Sequence, residues 1–156
     1  MEELSARDLE SAIALAVHAH RGQRDKAGAP YILHPLRLLA RLGHDATEAQ
    51  RMAAVLHDVV EDTEYSLEKL ADLHCPREVL DALDCLTRRK EENYEQFIER
   101  LLPNEVARRV KRADLEDNMD VLRLPAVTAK DVERLARYRA AWTRVVGGPR
   151  EKAGTM

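Results

Sequence analysis

AAVLHDVVEDT, residues 53–63, is the stretch on which the reading of this chain turns. Ala53, Ala54, Val55, Leu56, Val59 and Val60 describe a buried helix. His57 and Asp58 sit side by side among them, and Glu61 and Asp62 follow one turn later. Buried charges are costly unless paired or bound to a metal. Neighbours on a helix lie ~100° apart, so His57 and Asp58 can lean toward one ion. The i,i+4 spacing brings Glu61 and Asp62 toward the same face. A lone buried histidine or aspartate is more often a hydrogen-bonded core residue. Four ionisable groups in six positions are accounted for most simply by a divalent cation that activates water, which points to a hydrolase.

Outward from this segment, apolar spacing predicts helices over 5–20, 35–43, 47–60, 66–73, 76–87, 94–102, 105–119 and 128–146. Ser5 and Thr128 read as N-caps, Pro35 suits a first helical turn, and Gly43 reads as a stop. Residues 21–31 form a turn-rich loop containing Gly22, Gly28 and Pro30. Neither a strand, a repeat nor an interdomain linker is evident. The expected fold is an all-α bundle of about eight helices in one domain over 1–148, with 149–156 as a disordered tail.

Composition narrows the function classes. The 156 residues are 45% apolar and 34% charged, as in a soluble globular protein, and only 4% aromatic, which favours helices packed through aliphatic side chains. A net charge of -3 argues against a general nucleic-acid binder, despite basic clusters at Arg88-Arg89-Lys90 and Arg108-Arg109 to Lys111-Arg112. No apolar run reaches the ~18 residues of a membrane span, and the acidic N-terminus is no signal peptide. Neither nucleic acid nor membrane is expected as a partner. Cys75 and Cys85 are too few for a disulfide scaffold and fit a reducing cytoplasm. The amphipathic final helix can pack on its own core or on a partner, which leaves oligomerisation open.

His34 and Asp114 are further candidate metal ligands from distant segments. Two histidines and two aspartates around one ion leave positions for water and a substrate oxygen. Such mixed donors suit Mn, Fe, Zn, Co or Ni better than Ca. Arg24, Lys26, Arg88 and Lys111 lie near these segments in sequence and are candidates for holding phosphate oxygens; each reads equally well as a solvated surface charge. His20 reads either as a partner of a ligand or as a core residue. His18, His44 and His74 read as surface or core.

The motifs together resemble a known family. The order His34, His57-Asp58, Asp114 is that of the HD superfamily of metal-dependent phosphohydrolases. HRGQRDKAGAPYILHP (20–35), LHDVVEDT (56–63), Leu86-Thr87 and VKRADLEDN (110–118) are similar, more narrowly, to the hydrolase domain of RelA/SpoT-type alarmone enzymes, across roughly residues 6–146. The resemblance implies removal of the 3′-pyrophosphate from guanosine tetra- or pentaphosphate with one Mn2+ ion. By position, it implies that His34, His57, Asp58 and Asp114 hold the metal, and that Glu61 and Asp62 orient and deprotonate the attacking water. It places Asn118 at the ribose, and Tyr31 and Lys26 along the substrate pocket. At 156 residues the chain has no room for a synthetase domain as well, so a stand-alone hydrolase is expected.

Two positions depart from that family. Asp25 stands where an arginine usually lies against the base, and Ala29 stands where glutamate is usual. Asp25 could accept hydrogen bonds from a guanine edge or mark a different base, with Arg24 supplying the cation. Glu116 and Asp117 add negative charge beside an anionic substrate, either as partners of the ligands or facing solvent, with solvent favoured for Glu116. Three readings follow: the alarmone hydrolase; an HD phosphohydrolase acting on another nucleotide or phosphorylated nucleotide cofactor; and a non-catalytic nucleotide-binding module. Retention of Glu61 and Asp62 argues against the last.

Overall fold

Nine α-helices carry the described residues, 3–150, of this computed structural model: α1 (Leu9–Ala19), α2 (Leu33–Arg41), α3 (Glu48–Leu56), α4 (Val59–Asp62), α5 (Leu67–Asp72), α6 (Arg77–Leu86), α7 (Tyr94–Leu101), α8 (Glu105–Asn118) and α9 (Ala129–Gly147). A single 3₁₀ turn, Val121–Arg123, follows α8. No strand occurs among the described residues, only an isolated bridge between Arg24 and Pro30. The all-α expectation therefore holds. Of the tail expected at 149–156, residues 151–156 lie outside the described residues.

α3 is the central element. It packs against α1, α2, α6 and α8, and Met52 through Leu56 are all buried. α8 closes the other side of the core against α2, α6 and α9. The core is aliphatic, led by Leu15, Leu38, Leu56, Leu83, Leu101 and Leu115 at no measurable exposure. Fully burying such a side chain contributes about 1.5–3 kcal/mol.

Two boundaries differ from the sequence expectation. α1 is capped by Asp8, whose carboxylate accepts from the Ser11 N–H, and not by Ser5. Ser5 donates instead to the Leu73 carbonyl beside the Ala6–Leu73 main-chain bond, so tertiary pairing claims it. The helix expected over 47–60 is broken at His57–Asp58 into α3 and α4. Asp58 sits at φ -100, ψ -2, in the bridge region between helix and strand, where active-site residues are often found. Gly43 does end α2, with φ 80.

Candidate active site

The break between α3 and α4 makes the site. His57 Nε2 and Asp58 Oδ2 meet there at 2.8 Å. His34, in the first turn of α2, faces them across the bundle, its Nε2 lying 3.2 Å from His57 Nε2 and 3.8 Å from Asp58 Oδ2. Those three residues offer ligand atoms within 4.8 Å of one another. Asp114 enters from α8, with Oδ1 at 3.0 Å from His34 Nε2 and 3.7 Å from His57 Nε2. The four expected metal ligands thus converge from two helices, α2 and α8, and the turn between α3 and α4.

The outer nitrogens of both rings are engaged. His57 Nδ1 lies 2.8 Å from the Ala54 carbonyl oxygen, which can only accept, so this nitrogen carries the proton. His34 Nδ1 lies 2.7 Å from Asp117 Oδ2. Both Nε2 atoms are left to point inward as donors to a cation, the orientation that outer partners give metal-binding histidines. The residues present therefore fit a divalent ion with mixed nitrogen and oxygen ligands.

The carboxylates are also tied. Tyr31 donates from its hydroxyl to Asp58 Oδ2. Lys111 Nζ donates to Asp114 Oδ2 at 2.9 Å, and Asn118 Nδ2 donates to Asp114 Oδ1 at 2.8 Å. Burial raises the Asp58 carboxyl, but the His57 charge and hydrogen bond outweigh it and bring its pKa to about 2. Burial likewise opposes ionisation of Asp114, yet Lys111, His34 and His57 hold it well below the ordinary range. Burial also disfavours the charged imidazoles. Their aspartate neighbours prevail, so the proton affinities of His34 and His57 stand above the ordinary value.

A cavity of about 410 Å³ opens beside this cluster, within the ~300–1,000 Å³ usual for small-molecule sites. His34, Asp58 and Asp114 lie in its floor, and Tyr31, Lys111 and Asn118 line it. Arg24 and Lys26 line it from the loop before α2 and form no ion pair among the described residues. Six cationic side chains (Arg24, Lys26, Arg37, Lys111, Arg123, Arg134) face four aspartates (Asp25, Asp58, Asp114, Asp120), so the lining favours an anion.

Other expected residues lie elsewhere. Arg88 is absent from the lining; its main-chain N–H donates to Glu61 Oε1 at 2.6 Å and its guanidinium turns to the Glu92 carbonyl oxygen, so the structure does not bring its side chain to the cavity. Glu61 and Asp62 are exposed on α4, outside the cavity lining. Partial desolvation on its inner side, with the negative charges of Asp58 and Glu61, raises the Asp62 carboxyl above its usual value. Asp25 is occupied locally: its Oδ1 accepts from the N–H groups of Ala27 and Ala29, both at 2.9 Å, closing the loop around Gly28 at φ 82. Glu116 is half-buried, accepting from Arg112 and Trp142, and so is not the solvent-facing residue expected. His20 is buried against the Tyr31 ring, with Nδ1 on Gln23 Oε1.

Sequence reasoning missed Arg37, Arg123, Arg134 and Tyr138 in the cavity wall. Only Arg37 carried a usable signal, one helical turn after His34. Tyr94 lines the cavity beside Tyr138, with ring centroids 6.2 Å apart.

The family model of the HD domain matches residues 12–133, from the middle of α1 into α9. The chain belongs to the HD domain family. Over 153 residues this HD domain is 34% identical to the mouse guanosine-3′,5′-bis(diphosphate) 3′-pyrophosphohydrolase MESH1, covering 92% of this chain and 85% of that protein. It is 51% identical over 73 residues to the GTP pyrophosphokinase of Streptomyces coelicolor, 45% of this chain but only 8% of that protein's length. A solved structure of a metazoan ortholog of SpoT, described as hydrolysing ppGpp and acting in starvation responses, superposes with a TM-score of 0.69. It is 28% identical, and the match covers 94% of this chain and 87% of that one.

Proposed function

We propose that this HD domain is a metal-dependent hydrolase that removes pyrophosphate from the 3′ position of guanosine tetra- or pentaphosphate in the cytoplasm. The observation that carries the chemistry is the convergence of His34, His57, Asp58 and Asp114 beneath a cavity whose lining is rich in cations. The observation that carries the substrate is the likeness to a mouse protein of that activity over 85% of its length. Cys75 and Cys85 are both free, which suits a reducing compartment. No helix among the described residues is long and apolar enough to cross a membrane.

His34, His57, Asp58 and Asp114 would hold one divalent ion. Mn2+ is assigned first, because two imidazoles disfavour Mg and Ca while two carboxylates suit a fairly hard ion. When bound, the ion lowers the pKa of a water from ~15.7 toward ~7 and polarises a phosphoryl oxygen. Asp62, with its raised proton affinity, takes the proton from the attacking water. Glu61, fixed through the Arg88 N–H, orients that water with its free oxygen. Water adds to the phosphorus nearest the sugar, the bond from that phosphorus to the 3′-oxygen breaks, and the proton taken up by Asp62 is returned to the departing 3′-oxygen, giving pyrophosphate with guanosine 5′-diphosphate from the tetraphosphate or guanosine 5′-triphosphate from the pentaphosphate. Arg24 and Lys26 receive phosphate oxygens. Asn118 lies within reach of the metal ligands to meet the ribose, and Tyr31 holds Asp58 at the cavity floor.

A second reading keeps the chemistry and changes the substrate to another nucleotide or phosphorylated nucleotide cofactor. Asp25 favours it, because its carboxylate caps its own loop and supplies no cation to lie against a guanine. Anion-exchange analysis of products after incubation with guanosine tetraphosphate and Mn2+ decides between them, with Glu61→Ala as control. Pyrophosphate release lost in the control supports the first reading. Absence of turnover with metal bound moves the assignment to the second, where orthophosphate from other phosphorylated nucleotides is the expected product.

A further inference from the structure

Asp117 is the most completely buried carboxylate of the described chain, with no measurable exposure, and the chemistry above gives it no part. Its Oδ2 lies 2.7 Å from His34 Nδ1. Its Oδ1 accepts from Arg37 Nε at 2.8 Å, and a second Arg37 N–H reaches Oδ2 at 3.0 Å, a two-pronged pair. Arg123 donates to its main-chain oxygen at 2.7 Å and approaches Oδ2 at 3.4 Å. Arg37 and Arg123 both line the cavity. One carboxylate therefore touches the ring on the metal side and two guanidinium groups on the substrate side.

The spacing on α8 produces this arrangement. Asp114 and Asp117, three residues apart, are neighbours on one helix face, and they grip the same imidazole at opposite ends. A carboxylate on Nδ1 fixes the ring's tautomer and strengthens Nε2 as a metal donor. The planar fork of Arg37 is held in one orientation by its two-pronged pair, and its remaining N–H donors are left for an anion.

We propose that Asp117 is a positioning residue that sets both halves of the site at once, aligning His34 for the metal and Arg37 with Arg123 for the phosphate groups of the substrate. The inference rests on the metallohydrolase reading of the site, but not on the identity of the nucleotide.

Two titrations test it without turnover. Mn2+ alone is titrated by calorimetry into metal-stripped wild type, Asp117→Asn and Arg37→Gln. Inorganic phosphate is then titrated into the metal-saturated proteins. Loss of an outer partner of a ligating histidine weakens metal binding by roughly 10–100-fold, and that loss is expected in Asp117→Asn. Phosphate affinity should fall in both variants, while Arg37→Gln keeps its metal affinity within about twofold of wild type, since the His34 partner remains. A purely structural Asp117 would lower thermal stability and leave both affinities of the folded protein unchanged; that result overturns the proposal. If Asp117→Asn does not fold, the Arg37→Gln/Arg123→Gln double variant decides, because wild-type phosphate affinity there removes the substrate-side half. Failure to hydrolyse guanosine tetraphosphate would overturn the proposed substrate and leave these affinities as they are.

Discussion

His34 and His57 face each other through their Nε2 atoms at 3.2 Å. Each neutral ring carries its single proton on the outer nitrogen, so two lone pairs meet. Oxygens of Asp58 and Asp114 close in on the same point. Only positive charge reconciles such a set: protons on the rings of the metal-free protein, or a cation in its metal-bound form. The raised proton affinities of both histidines and the lowered ones of both aspartates express that demand.

Metal and protons should therefore compete. His34 and His57 are held protonated above their ordinary pKa of 6.5, so their ion pairs stabilise the metal-free protein below that value and are lost as pH rises through the raised pKa. Asp58 acts in the opposite sense, supporting the fold above its ordinary 3.8 and losing that support as pH falls toward about 2. Binding of a divalent ion must displace the ring protons, so apparent affinity rises with pH by up to about two log units per pH unit while both rings are charged. Calorimetry in buffers of different ionisation enthalpy measures the protons released. Affinity that stays constant between about pH 6 and 8 contradicts this arrangement.

His57→Ala and Asp58→Ala should each abolish stoichiometric metal and turnover together, because each removes one of the converging donors. Asp58→Ala also strips Tyr31 of its partner, so loop 24–31 should loosen. Elemental analysis of dialysed protein gives the metal content. Full metal occupancy in either variant would move the site elsewhere.

The fold was legible because the aliphatic spacing of α1, α6 and α8 leaves little choice of periodicity. The candidate ligand cluster was legible because a histidine and an aspartate amid Ala53–Val60 have no comfortable apolar neighbour. Three features were not legible, for physical reasons. The break at Asp58 shows no glycine or proline; tertiary convergence on His34 imposes it over helix propensity. Arg88 reads as a phosphate cation, yet it meets Glu61 through its main-chain N–H, and no side-chain pattern reports that. Arg123, Arg134 and Tyr138 reach the cavity through the turn after α8 and the approach of α9, a path that local spacing does not encode.

Glu61→Ala and Asp62→Asn should leave metal binding near wild type, because neither residue belongs to the ligand cluster. Loss of a general base costs roughly 10²–10⁴ in turnover, and Asp62→Asn should show that loss. Glu61→Ala should lose turnover too and, in addition, release the Arg88 loop held at 2.6 Å. Single-turnover rates at saturating metal separate these effects. Unchanged rates in both variants would remove the α4 carboxylates from the chemistry.

Asp25→Asn should retain the loop, since its amide oxygen can still accept from the Ala27 and Ala29 N–H groups. Asp25→Ala cannot, and Asp25→Arg cannot either. Restoring the family's arginine therefore disturbs the loop that carries Lys26, and a higher KM is expected from that substitution instead of a gain on guanosine tetraphosphate. Equal KM values for Asp25→Asn and Asp25→Ala would show that the loop closure is irrelevant to binding.

Arg24 and Lys26 are the cavity cations with no ion pair among the described residues, so an incoming phosphate meets them without displacing a carboxylate. Hydrogen bonds to a charged group contribute about 1.5–3 kcal/mol, equivalent to roughly 10–150-fold in affinity. Lys26→Ala should raise KM within that range while leaving metal stoichiometry intact, and the salt dependence of KM should flatten with it. Lys111→Ala behaves differently, because Lys111 holds Asp114 at 2.9 Å: metal affinity should fall along with substrate affinity. A Lys26→Ala variant that loses metal, or a Lys111→Ala variant that loses only substrate affinity, would reverse the division between the two lysines.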